Sequence, residues 1–269
     1  TANDYLLVPR EVKGYLNTQL YDYPYIQKDH SISSSSIDII YISNGEPDAE
    51  RWYENLTNIV NNRPDVTFKE IKRVQNVNGR DVALKQAAQL SESERFFAVP
   101  AKLEVSSSFN WDWQPDYMQG PKHYIFHATN PLNGLEYGHM AIVAYNKRLV
   151  LETDDHGLDF TMSKAHAIVP LNSGIAHYNT NKLITWRTAF REVIKLKYDV
   201  DQFGSVESNY RLKIWLTKSH GINAEWSING ANDAVEYYNL VEGDYNQLIN
   251  SFSWTWLDNH FNTLYMSST

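Results

Sequence analysis

Ile37-Asp38-Ile39-Ile40-Tyr41-Ile42 is a short, β-branched and almost uninterrupted apolar run, the pattern of a strand covered on both faces. The next seventy residues constrain the fold. Ser43-Asn44-Gly45-Glu46-Pro47 is a turn, and from about Asp48 to Val60 the residues Trp52, Leu56, Ile59 and Val60 fall near helical spacing. Phe68 to Val74 reads as a second strand. Arg73-Val74-Gln75-Asn76-Val77-Asn78-Gly79-Arg80-Asp81 then leads into a helix from Val82 to Leu90, with Asp81 as its expected N-cap and Ala83, Ala87 and Leu90 as its apolar stripe. Phe96 to Val99 is a third strand, running into Pro100-Ala101-Lys102-Leu103-Glu104-Val105. Strands joined by helix-length crossovers are parallel neighbours, and a ligand is expected beyond their C-terminal ends. Those ends are Ser43 to Glu46, Val77 to Asp81 and Pro100 to Glu104.

The middle of the chain is richer in β signals, at His123 to Ala128, His139 to Tyr145, Leu149 to Glu152 and Ala167 to Pro170. A long helix is expected from Leu183 to about Tyr198, with Trp186, Phe190, Val193, Ile194 and Lys197 on one face. Further helices are expected over Tyr210 to Trp215 and Ala231 to Glu242, and Tyr245 to Phe261 reads as a Trp-rich amphipathic segment. Residues 1 to 36 read as an arm and polar linker, with Val8-Pro9-Arg10, the Tyr-rich stretch Tyr21 to Tyr25 and the serines Ser31 to Ser36. The expected architecture is α/β: an N-terminal arm over 1 to 36, then one α/β domain over 37 to 269 with a mainly parallel central sheet, a mixed β middle and a helical C-terminal part.

Composition removes several function classes. A net charge of −8 argues against a broad phosphate-binding surface of the kind that holds nucleic acid, and leaves room for a local basic groove. The absence of cysteine excludes disulfides, thiolate zinc sites and cysteine nucleophiles. No apolar run approaches the roughly 20 residues of a membrane helix, and no signal segment opens the sequence, so a soluble intracellular or virion-associated protein is expected. The 8 Trp and 18 Tyr fill a core in the plain interpretation and also suit a sugar-binding surface.

The order strand, loop, helix, strand, turn, helix, strand over residues 37 to 105 resembles the start of a nucleotide-sugar glycosyltransferase of the GT-A, single-Rossmann-like type. The similarity is closer to a group of glycosyltransferase-like proteins of tailed phages and spans about residues 37 to 262, with Thr185-Trp186-Arg187-Thr188-Ala189-Phe190-Arg191-Glu192 adding to it. Such enzymes carry Asp-x-Asp to hold a metal where this chain has Pro100-Ala101-Lys102. The resemblance implies a nucleotide-sugar donor such as a UDP-sugar. Ser43, Asn44 and Glu46 would take the base and ribose, and Arg80 and Asp81 would stand near the base. Lys102, with Arg80, would replace the divalent ion beside the diphosphate, so that no metal is required at the usual position.

The acceptor-side loop of the family would correspond to Asn130 through His139, which makes Asn133, Glu136, Tyr137 and His139 acceptor-site candidates, Glu136 and His139 also as acid or base. His123 and His127, four apart in a strand, point to one sheet face and suit the acceptor side, a proton relay or simple structural hydrogen bonding. Thr153-Asp154-Asp155-His156 groups hard oxygen ligands and one imidazole, so Asp154, Asp155 and His156 are the candidates for any metal that binds. Asp154, Asp155 and Asp159 are credible bases only if they approach Glu136 or His139. Arg187 and Arg191 share one helical face, with pairing to carboxylates such as Glu192 or Asp159 as the default role and phosphate clamping as the alternative.

Two functions are expected on these grounds. One is sugar transfer from a nucleotide-sugar to a hydroxyl, such as that of a hydroxymethylated base in phage DNA or of a protein, in the host cytoplasm during infection. The other is a non-catalytic module that keeps the fold and serves virion assembly or protein contacts, with homo-oligomers compatible with both.

Overall fold

The computed structural model describes residues 37–62, 70–77, 79–115, 120–154 and 158–266. The expected arm over 1 to 36, along with Phe68, Asn78, Asp155 and His156, lies outside them. In chain order the elements are β1 (Asp38–Ser43), α1 (Ala49–Asn61), β2 (Lys72–Gln75), α2 (Arg80–Leu90), β3 (Arg95–Pro100), β4 (Leu103–Val105), β5 (His123–Thr129), β6 (Glu136–Tyr137), β7 (Val143–Asn146), α3 (Lys147–Leu151), β8 (His166–Ala176), α4 (Lys182–Phe203), α5 (Val206–Thr217), α6 (Ala224–Leu240), α7 (Tyr245–Asn250) and α8 (Trp254–Tyr265). No described helix is long and apolar enough to cross a membrane.

The sheet order is β2-β1-β3-β7-β5-β8-β4, with β6 paired to β5. β1 lies between β2 and β3 and is parallel to both, in register Ile40 with Lys72 and Ile40 with Ala98. Alternation along these strands explains why their sequences are continuously apolar. Tyr41, Phe97 and Val99 face one core with Trp52 and Leu56 of α1, while Ile40, Phe96 and Ala98 face a second core with Leu84 and Ala87 of α2. The two crossover helices therefore cover opposite faces, and a fully buried side chain such as Phe97 contributes ~1.5–3 kcal/mol.

Beyond β3 the sheet changes character. β7 is antiparallel to β3 and to β5, β4 is antiparallel to β8, and only β5 and β8 are again parallel. The sheet is thus mixed, against the expectation of a mainly parallel one, because β5 returns through the Asn130–His139 loop to lie beside β7 without a helical crossover. The strand expected over Leu149 to Glu152 is instead helix α3, started by the Asn146 side chain accepting from Leu149 N at 3.1 Å and anchored by the buried Val150.

Asp81 is not the N-cap of α2: the helix begins at Arg80 after Gly79, whose φ of +100° favours glycine, and Asp81 lies in the first turn. The expected Tyr245 to Phe261 segment is two helices, α7 and α8, because Ser253 caps a new helix by accepting from Trp256 N at 3.4 Å.

Helix α4 is longer than expected. Asn181 caps it by accepting from Ile184 N at 2.9 Å, and Gly204, at φ +63°, ends it. Its fully buried Trp186, Phe190 and Val193 pack with residues of α5, α6 and α8 in a third core. In α6 any side chain at Gly230 would collide with the Trp186 carbonyl, so the two helices touch backbone to backbone there.

Candidate functional site

Backbone hydrogen bonds bring the three loops at the parallel strand ends together. Asn76 N donates to the Ser43 carbonyl and Ala101 N to the Ile42 carbonyl, each at 3.0 Å. Glu46, Trp52, Lys102, His177, Thr180 and Ile184 line a cleft at this edge. Lys102 is held there by its carbonyl, which accepts from His177 N at 2.6 Å. The His177 ring stacks on Trp52 with centroids 4.9 Å apart, and its Nε2 lies 2.7 Å from Glu104 Oε2.

Helix α4 supplies the opposite wall. Ile184, Arg187, Arg191 and Lys195 recur at intervals of three or four residues and so share one face. The Arg187 guanidinium sits 4.2 Å from the Trp254 ring centroid and 3.4 Å from Asp258 Oδ1. That of Arg191 sits 5.0 Å from the Phe252 ring. Lys195 bridges Glu192 at 2.8 Å and Asp159 at 3.2 Å, and Asp159 in turn meets Arg80 at 3.3 Å. Glu192 Oε1 accepts from the Tyr137 hydroxyl at 2.8 Å, which itself accepts from Trp215 Nε1 at 3.0 Å. His139 stacks on Tyr137, its Nε2 3.8 Å from Glu192 Oε2.

These groups form one electrostatic neighbourhood. Burial pulls the Lys102 ammonium down to about 8, with Arg187 and Arg191 adding to the effect and Glu46 opposing it. Burial, then Arg80 and Arg187, pull Arg191 down to about 10. Burial pushes Glu192 up, but Lys195 and His139 outweigh it and hold the carboxyl at about 2. Asp159 is likewise held below the usual carboxylate range by Lys195 and Arg80 against burial. His139 is lowered to about 4, chiefly by burial, so its imidazole is neutral at physiological pH.

The pairing is incomplete in one direction. Asp159, Glu192 and Asp258 are engaged by Arg80, Lys195 and Arg187. Among the described residues, the Lys102 and Arg191 side chains form no salt bridge or hydrogen bond, and Arg191 Nε is buried without an acceptor. Cations withdrawn from water without a counter-charge are costly, and an anionic ligand would relieve that cost.

The expected site residues divide into groups. Lys102 and Glu46 share the cleft. Ser43 and Asn44 stand at the same strand end, Asn44 N donating to Glu46 Oε2 at 2.6 Å. Arg80 reaches Asp159 and Thr161, and Asp81 stays on α2. Tyr137 and His139 belong to the Glu192 network. Glu136 is exposed and 4.0 Å from His127. Asn133 is used in its own turn, accepting from Leu135 N at 3.1 Å. His123 is buried, with Nδ1 accepting from Asn146 N at 3.2 Å and its pKa lowered to about 4, mainly by burial. Asp154 is exposed and meets Lys85 at 3.4 Å. Asp159, one of the carboxylates weighed as bases, connects to His139 only through Lys195 and Glu192.

A divalent ion does not suit the Pro100-Ala101-Lys102 position: proline and alanine offer no side-chain ligand, and the ammonium repels a cation. Among the described residues no three His, Asp or Glu side chains are grouped to hold a metal.

Sequence patterns did not single out Glu192 with Lys195, or Trp52 with His177. For Lys195 the signal was its continuation of the Arg187 and Arg191 spacing. Compared with known proteins, the chain matches no family model, no curated protein and no solved structure.

Proposed function

We propose that this protein is a GT-A-like, metal-independent glycosyltransferase-type protein that binds a nucleotide-sugar at the C-terminal ends of β1, β2 and β3. The observation that carries this proposal is the Lys102 ammonium, without a salt bridge among the described residues, held where β3 ends and sharing its cleft with Glu46 of the β1 loop. A diphosphate leaving group develops negative charge as it departs, and a positioned cation stabilises it as a metal ion would. In the transfer, the sugar C1–O bond to the diphosphate breaks, a C1–O bond to the acceptor hydroxyl forms, and the hydroxyl proton passes to a base. Parallel β1, β2 and β3 with helices on opposite faces support the Rossmann-like part of the proposal.

A second function, binding without transfer, is favoured by the scatter of the acid and base candidates. Glu136 and Asp154 are exposed and engaged elsewhere, and the mostly covered His139 ring packs against Tyr137 and Trp215. Thermal denaturation with a panel of nucleotide-sugars, with and without Mn²⁺, separates the cases: stabilisation by one nucleotide-sugar, independent of Mn²⁺, is expected. Stabilisation by none would remove the nucleotide-sugar proposal. Product formation with a hydroxyl acceptor then distinguishes transfer from binding alone.

A further inference from the structure

We propose that Arg187 and Arg191 of α4 act with Lys102 as a clamp for a doubly charged phosphate group, the diphosphate of the ligand, with Trp254 and Phe252 as the residues that position the two guanidinium groups. The identity of the ligand as a nucleotide-sugar rests on the function proposed above; the charge it must carry does not.

Three observations converge. Asp159, Glu192 and Asp258 are engaged by Arg80, Lys195 and Arg187, and Glu46 attracts Lys102 and Arg187 without a salt bridge, so that Lys102 and Arg191 form no salt bridge among the described residues. A single carboxylate would balance only one of them, whereas a diphosphate balances both. Arg187 and Arg191 are one turn apart on the same helix, about 5–6 Å between Cβ atoms, so adjacent phosphoryl groups can reach both. Finally, the α7–α8 connection and the first residue of α8 lay one aromatic ring against each guanidinium, Trp254 at 4.2 Å from Arg187 and Phe252 at 5.0 Å from Arg191. Stacking occupies the flat face of a guanidinium and leaves its in-plane N–H groups for contacts with phosphate oxygens, those of Arg187 other than the Nη1 group that donates to Asp258 at 3.4 Å. Trp254 is 41% exposed, so it can serve this purpose without being needed by the core.

The test is calorimetric titration of the full chain with inorganic pyrophosphate, UDP and uridine. For Arg191→Met and Arg187→Met, pyrophosphate and UDP affinities should fall about 10- to 100-fold, the effect of losing a charge-assisted contact, while uridine is unaffected. Arg191→Met should melt no lower than the parent, because it removes a cation that forms no salt bridge or hydrogen bond among the described residues, at the loss only of its stacking on Phe252; Arg191→Lys substitutes if it fails to fold. Trp254→Ala should weaken pyrophosphate binding, and Trp254→Phe should restore it. Folded arginine variants that bind pyrophosphate as the parent does would overturn the clamp, even if UDP still binds and the nucleotide site stands. Arginine-dependent pyrophosphate binding with no gain for UDP would keep the clamp and remove the nucleotide-sugar. Failure of the parent to bind either ligand would overturn both.

Discussion

Replacing Lys102 with Met should make the protein more stable at pH 7 while removing its grip on a diphosphate. The ammonium forms no salt bridge or side-chain hydrogen bond among the described residues, so methionine, similar in length, gives up only the longer-range attraction of Glu46. Burial lowers the folded-state value from 10.5 to about 8. At about 1.4 kcal/mol per pH unit this corresponds to roughly 3 kcal/mol, an upper bound because the side chain is only partly removed from water. The sign comes from proton counts. Between about pH 8 and 10.5 the unfolded chain holds a proton that the folded chain has released, so parent stability rises with pH through that window and the penalty is complete below it. A gain of about 1–3 kcal/mol at pH 7 would raise the melting temperature by several degrees for a chain of this size. Thermal denaturation at pH 7 and pH 10 should show a large advantage for Lys102→Met at the lower pH and a small one at the higher. A variant less stable than the parent at pH 7, or an advantage that does not shrink with pH, would refute the account of Lys102 as a partly buried cation without a salt bridge among the described residues.

The Glu192 carboxyl is held at about 2, so the stability it contributes is present above the ordinary carboxylate range and is lost as pH falls through that value. Glu192→Gln should therefore cost on the order of 3 kcal/mol near neutrality and flatten the acid limb of the unfolding profile; an unchanged limb would contradict the pairing with Lys195. The His139 imidazole should show no titration by NMR between pH 5.5 and 8, whereas a midpoint near 6.5 would mean that it is open to water. Gly230→Ala should destabilise by about 1–3 kcal/mol in urea denaturation, since the added methyl meets the Trp186 carbonyl, and a neutral result would mean that α4 and α6 can separate freely.

The parallel half of the sheet was legible because β1 and β3 are buried on both faces and their sequences are correspondingly continuous in apolar residues. The pairing of β7, β5, β8 and β4 was not, since it depends on contacts distant in sequence, including register shifts between β5 and β8. Leu149-Val150-Leu151 illustrates the local limit: a short apolar triplet suits strand or helix, and the Asn146 cap decides. The position of Lys102 at the parallel strand ends was legible because it stands two residues after the end of β3. Glu192 was not, because on a helix it looks like half of an ordinary pair with Lys195. Its tie to Tyr137 spans 55 residues and appears only in the folded chain.

Lys102, its ammonium lowered to about 8 and without a salt bridge among the described residues, is on this account the group that meets a diphosphate. Calorimetric titration with UDP at pH 8.5, in two buffers of different ionisation enthalpy, tests that claim most directly. An anion beside the ammonium raises its proton affinity, so binding should take up a fraction of a proton in the parent and none in Lys102→Met. UDP binding of equal strength in both proteins, without proton uptake in either, would show that Lys102 does not meet the ligand and would contradict the account.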